Sequence, residues 1–374
     1  MVFPHRFENM SQFRNMLRNI KNSSVLLRRI HAKLAGLRHP KDTASASSGK
    51  SYLARLRAET AAYKDVVDIN VLPAIFHYWS HTYVRAMFED YGFSNPDQFF
   101  AKYMQEAAVR CENQGPRFIS LGAGNCDTEV RLATLLKAAG LQSFVIECLD
   151  VNPYMLARGV EAAQQAGVGA HIRIVEGDFN QWQPSGFYAA VIANQSLHHM
   201  LELERVFTRV QSALLPRGLL LVSDMIGRNG HSRWPEALKA VDEFWKELPS
   251  SYRFNQQLQR QEDKFSNWDC SAYGFEGIRA QDILPLLIEH FHFKLFVAFG
   301  NVIDPFTDRA FGHNFNGDGE WDRDFIDRVH AWDEKALSEK RITPTHLVAV
   351  LTKEKEGEPM LSRGLLPIDC VRRS

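Results

Sequence analysis

The chain has 374 residues, 45% of them apolar and 24% charged, with 44 Lys plus Arg against 44 Asp plus Glu. Such values describe a globular protein with room for two or three domains, and the even balance excludes a polyanion-binding role for the chain as a whole. No apolar run of about 18 residues occurs, so no membrane-spanning helix is expected.

The N-terminus has no signal-peptide core, and the five cysteines (Cys111, Cys126, Cys148, Cys270, Cys370) include no C-x-x-C pair. A reducing cytoplasmic setting without disulfides is expected.

Residues 1–50 carry ten Lys or Arg and two acids, Glu8 and Asp42, a balance of 10 − 2 = +8. Phe13, Leu17, Ile20, Leu27, Ile30, Leu34 and Leu37 recur at helical steps, which predicts a basic amphipathic helix broken near Asn22. Residues 42–51 read as a flexible linker. Such an arm suits an anionic membrane surface. The alternative is packing on its own domain or on a second copy in a homo-oligomer, the ordinary role of an apolar stripe. Phe3, Phe7 and Phe13 stop before most of the basic residues, which disfavours nucleic acid. Residues 51–114 read as helical, with an unusually aromatic stretch at 75–83.

Phe118, Ile119 and Leu121 predict a short strand, Gly122-Ala123-Gly124 a sharp turn, and residues 128–139 a helix. A strand ending in Gly-x-Gly before a helix lets backbone amides approach a nucleotide-like ligand. A second strand, 144–149, ends in Asp150 and Val151, with Asp150 lying 150 − 124 = 26 residues after Gly124. An acid at that tip is placed to accept both hydroxyls of a ribose. The third strand, 171–175, ends in Glu-Gly-Asp-Phe, where Asp178 suits an adenine amine and Phe179 suits stacking. The fourth, 188–193, ends in Asn194-Gln195-Ser196-Leu197-His198-His199.

A fifth strand, 219–223, ends in Asp224. In the loop after it, Arg228, His231, Arg233 and Trp234 suit an anionic or sugar-like acceptor. The alternative is that they cap helices and pair with acids. Ser232 is placed to cap a helix from about Pro235. Insertions at about 225–290 and 301–330 flank a sixth strand, 293–299; the first holds a helix at 281–289 and the second carries His313. Long aromatic insertions of this kind are commonly functional. A last strand spans 345–351, and 356–374 reads as a tail.

The Leu-Gly-Ala-Gly turn (121–124), Leu-Asp-Val-Asn-Pro (149–153), Glu-Gly-Asp-Phe (176–179) and Leu-His-His (197–199) stand in a characteristic order and spacing. In them the chain resembles the class I S-adenosylmethionine-dependent methyltransferases, well over 115–225 and more weakly up to the last strand. The resemblance implies a doubly wound, Rossmann-like α/β core over 115–355. Its sheet would be seven-stranded with an antiparallel last strand, preceded by N-terminal helices over 51–114 and covered by the insertions. It implies S-adenosylmethionine as cofactor. Gly122, Ala123, Gly124, Asp127, Asp150, Val151, Asp178, Phe179 and Asn194 would hold it. Asp127 also argues against NAD, whose fingerprint needs Gly or Ala at that position.

In the family, helices before the first strand lie over the cofactor as a lid. By analogy Tyr78, Trp79 and His81 face the cofactor; core packing of an aromatic stripe is the alternative. The expected reaction is O-methylation of a small-molecule or sugar hydroxyl. A glycan acceptor follows only from likeness to a bacterial group often found beside polysaccharide genes. N-methylation, or a non-enzymatic scaffold that retains the fold, are the alternatives. A hydroxyl must lose its proton, and histidine is the natural base near neutral pH; the candidates are His198, His199, His231 and His313. No metal is expected. Asn194 stands where metal-dependent catechol-type enzymes place Asp, and no HExxH or cysteine cluster occurs.

Overall fold

The computed structural model describes residues 52–62, 72–111, 115–272 and 274–372. The predicted basic arm and its linker lie outside the described residues.

Eight strands form one sheet: β1 (Arg117–Leu121), β2 (Val145–Asp150), β3 (Ile172–Glu176), β4 (Tyr188–Asn194), β5 (Leu214–Met225), β6 (His292–Phe299), β7 (His346–Thr352) and β8 (Met360–Leu361). Their order is β8-β6-β7-β5-β4-β1-β2-β3. Only β7 is antiparallel to its neighbours, β5 and β6. The direction of winding reverses between β1 and β4, which opens a crevice at the carboxyl ends of the strands. Strands covered on both faces need near-continuous apolar sequence, and residues 188–193 of β4 are all buried.

Two expectations need correction. The tail is not a free end, because Met360 and Leu361 pair with Leu295 and Phe296 as an eighth strand. Two residues are too few for any periodicity to show. β5 begins at Leu214, before Pro216 and Gly218, because its register against β4 slips between Tyr188 and Ala190.

Before the sheet come α1 (Tyr52–Ala62), α2 (Ala74–Trp79), a π turn (Ser80–Val84), α3 (Arg85–Glu89) and α4 (Pro96–Arg110). The α/β core adds α5 (Asp127–Ala138), α6 (Pro153–Gln165) and α7 (Leu203–Ala213). The insertions add α8 (Pro235–Glu247), α9 (Ala280–His290), α10 (Asp304–Thr307) and α11 (Glu320–Ser338). α6 starts where it does because Asn152 accepts the amides of Tyr154 and Met155, with Pro153 in the first helical position. Ser232 does not cap α8; its hydroxyl donates to the Asn229 carbonyl.

The aromatic stretch packs as core. Ile75 and Trp79 are buried, Trp79 donates to His330 of α11 at 3.3 Å, and Tyr78 donates to Asp327 at 2.9 Å. His81 is exposed. These contacts turn Tyr78 and Trp79 toward α11, which begins inside the second insertion.

Glu129 of α5 is buried beneath the glycine turn. It accepts the Ser120 hydroxyl at 2.6 Å, while its other oxygen has no partner among the described residues. Burial pushes its pKa up to about 7. The folded chain therefore favours the protonated form, and this stability is complete below the ordinary carboxyl range and lost as pH rises through 7. A shift from 4.5 to about 7 corresponds to about 3 kcal/mol. Glu129→Gln is expected to melt above the wild type at pH 8.5 and close to it near pH 4.5, as read by thermal unfolding across pH.

Candidate functional site

The glycine turn is built for close approach. Gly122 and Gly124 hold φ of 79° and 54°, in the left-handed region that favours glycine. A Cβ on Gly122 would meet Ser196 Cβ at 2.8 Å and the Phe179 ring at 3.9 Å. The amides of Gly122 and Ala123 both donate to the Leu149 carbonyl, which ties β1 to β2. Gly124 donates its amide to Asp150 Oδ2 and Asn152 donates to Oδ1, both at 2.8 Å. Asp150 is thereby fixed at the tip of β2, with carboxylate lone pairs left over for a ligand. Burial pushes its pKa up and the amide bonds oppose this.

Val151 follows half-buried, and Asp127 opens α5. Asn194 at the tip of β4 donates to the Thr128 hydroxyl at 3.2 Å. Asp178 Oδ1 accepts the Asn180 amide at 2.8 Å. The nine expected cofactor residues thus gather along the tips of β1 to β4. Their glycine cradle and two fixed carboxylates fit a nucleoside-bearing ligand.

Tyr52 and Asn180 belong to this site without any signal in the sequence. Tyr52 of α1 donates to Asp178 Oδ2 at 2.6 Å and receives a hydrogen bond from Asn180 Nδ2 at 2.9 Å. Asn152 Nδ2 reaches the Thr60 carbonyl at 3.3 Å. α1 therefore bridges the tips of β3 and β2 across the crevice. Asn180 also accepts the amides of Leu201 and Glu202, anchoring the start of α7. No periodic signal marks either residue, because both act through partners distant in sequence.

Beside β4 and β5 lies a cluster of three histidines and two acids. Asp224 is fully buried at the end of β5 and accepts the amides of Ser196, Leu197 and Met225. His198 Nδ1 stands 2.6 Å from its carboxylate. His198 Nε2 lies 3.4 Å from Glu276 Oε1, and His199 Nε2 lies 3.5 Å from Glu276 Oε2. His231 Nε2 donates to Glu276 Oε1 at 2.7 Å. The Glu276 side chain keeps 44% of its surface exposed, so the cluster opens on that side.

Electrostatics divide the histidines. Burial alone would lower the His198 pKa, but the Asp224 charge and hydrogen bond, with Glu276, raise it to about 10. Burial and the neighbouring His198 lower the His199 pKa to about 4. Partial burial would raise the Glu276 pKa, but His198 and His231 hold it well below the carboxylate range.

The fold delivers Glu276 by docking the first insertion on the loop after β5. Gly230 donates to the Gly277 carbonyl at 2.9 Å, and Ile278 donates to the His198 carbonyl at 3.0 Å. His231 adopts φ of 55° and Gln195 φ of 53°. Left-handed non-glycine residues of this kind gather at functional sites.

The remaining loop residues are placed differently. Arg233 is buried and pairs with Asp304 at 2.9 Å, inside a network with Thr345 and His346. Arg228 lies over the Trp234 ring, 4.9 Å from its centroid. His313 sits in a separate turn, Gly312–Asn314, packed on α2 and α10, and is not among the groups that converge on Glu276.

Residues 119–218 match the family described as a methyltransferase domain. No curated protein matches the chain. Among solved structures, the chain is similar to an S-adenosylmethionine-dependent methyltransferase from Geobacter sulfurreducens in complex with S-adenosyl-L-homocysteine. The identity is 11%, with 79% of this chain and 98% of that one covered and a TM-score of 0.38. A putative sarcosine dimethylglycine methyltransferase from Galdieria sulphuraria is 13% identical, covering 68% and 85%, with a TM-score of 0.37. The matched family and the strand order agree: residues 119–218 are a methyltransferase domain, set in a doubly wound α/β sheet.

Proposed function

We propose that the protein transfers a methyl group to a hydroxyl of a small molecule or sugar. The observation that carries this reading is the open Glu276–histidine cluster beside the tips of β4 and β5, next to the cofactor residues. Bound S-adenosylmethionine supplies an electrophilic methyl on a cationic sulfur. Asp150 accepts the ribose hydroxyls, Asp178 the adenine amine, and the glycine turn gives the ligand room. Asn194 with Asp127 lines the amino-acid end.

His231, oriented by its hydrogen bond to Glu276, faces the acceptor and takes its proton. As the oxygen–carbon bond forms, the sulfur–carbon bond breaks and its electron pair returns to sulfur. α1 and the first insertion close over the pair; Tyr52 packs edge-on against Phe275, with ring centroids 5.5 Å apart. Such closure keeps water from competing for the methyl group.

The test is incubation with methyl-labelled S-adenosylmethionine and panels of phenols, sugars and amines. Label is expected in hydroxyl-bearing acceptors. Label confined to amines would replace oxygen by nitrogen as the acceptor atom. His231→Asn keeps a residue tolerant of the left-handed backbone. It is expected to lower kcat by about 100-fold or more, with S-adenosylhomocysteine affinity unchanged.

A further inference from the structure

We infer that His198, His199 and Glu276 bind one divalent first-row transition-metal ion, which anchors the acceptor oxygen. Its placement at the acceptor rests on the reading above; the ion site itself does not.

One ligand atom from each of these three groups lies within 4.8 Å of the other two. The imidazole–carboxylate separations are 3.4 and 3.5 Å. Ligands about 2.0–2.2 Å from a tetrahedral ion stand roughly 3.3–3.6 Å apart, a spacing these separations match.

The tautomer points the same way. Asp224 already accepts three backbone amides, and accepts a hydrogen bond from His198 Nδ1–H at 2.6 Å. His198 Nε2 is thereby aimed at the Glu276 carboxylate, 3.4 Å away, where a bound ion would take the place of a proton. Carboxylate–histidine–metal relays have this form, the outer acid fixing the ring. His231 supplies the matching outer contact by donating to Glu276 at 2.7 Å.

Three protein ligands with an exposed fourth side are the pattern of a catalytic ion, not a structural one. Two imidazoles and a carboxylate favour Zn²⁺, Mn²⁺ or Fe²⁺ over Mg²⁺ and Ca²⁺, which prefer all-oxygen sites. An ion here would make the acceptor hydroxyl easier to deprotonate.

The full chain, stripped with a chelator, is titrated calorimetrically with Zn²⁺, with Mg²⁺ in parallel, and its metal content is measured after dialysis. Expected are one Zn²⁺ per wild-type chain and no Mg²⁺ signal. Glu276→Gln and Asp224→Asn, with unchanged circular dichroism, are expected to bind at least about 10-fold more weakly. A wild type that takes up none of Zn²⁺, Mn²⁺ or Fe²⁺ would overturn the site whatever the variants do, and so would equal uptake by wild type and both variants. S-adenosylhomocysteine is titrated separately. Binding of that ligand without metal uptake leaves the methyltransferase reading standing and sinks only the ion. Metal uptake without it does the reverse.

Discussion

Asp150→Ala is expected to weaken S-adenosylhomocysteine binding by about 100-fold or more. A hydrogen bond to a charged group contributes about 1.5–3 kcal/mol, and a ribose presents two hydroxyls. Losing both costs about 3 kcal/mol at least, which is about 100-fold in affinity. The substitution also frees the Gly124 amide, which Asp150 holds at 2.8 Å, so the turn loosens with the contact. Calorimetric titration of wild type and variant reads this directly. Unchanged affinity in the variant would remove Asp150 from the ribose. An absence of binding to the wild type would turn attention to a scaffold that keeps the fold without the reaction.

Arg233→Met should destabilise the fold by about 3 kcal/mol or more. Removing one partner of a buried ion pair strands the other charge, at a cost of about 3–5 kcal/mol. The side chains of Arg233 and Asp304 keep only 6% and 10% of their surface. Thr345 and His346 donate to the same Asp304 carboxylate, which moderates the loss without replacing the guanidinium. Denaturant unfolding of the two proteins measures it. A near-neutral result, with methyl transfer lost instead, would return Arg233 to the acceptor. Arg228, stacked on Trp234 near the surface, should change stability far less.

The strand-tip residues proposed to hold the cofactor are legible because they are written locally. Each tip follows an apolar strand, so the period of the strand tells where it ends, and the ligand chemistry comes next in the chain. Gly122, Asp150 and Asp178 stand at such tips, and α6 starts at Pro153 behind its Asn152 cap. Of the histidine–carboxylate cluster, the sequence offered His198, His199 and His231 but not the acids that join them. Asp224 ends an apolar strand like the others, but nothing in its neighbourhood says that it will hold His198, 224 − 198 = 26 residues earlier. Glu276 lies in an aperiodic insertion, 276 − 198 = 78 residues after His198. Tyr52 precedes its partner Asp178 by 126 residues.

By itself the sequence determined the strands, their tips, the glycine turn and the class of ligand these suit, because period and turn chemistry act over a few residues. Only the tertiary structure decided which histidines share a carboxylate, that Arg233 is buried in an ion pair, and that α1 spans the crevice. Those contacts depend on how the insertions and the N-terminal helix dock on the sheet, and docking joins residues whose separation in the chain carries no pattern.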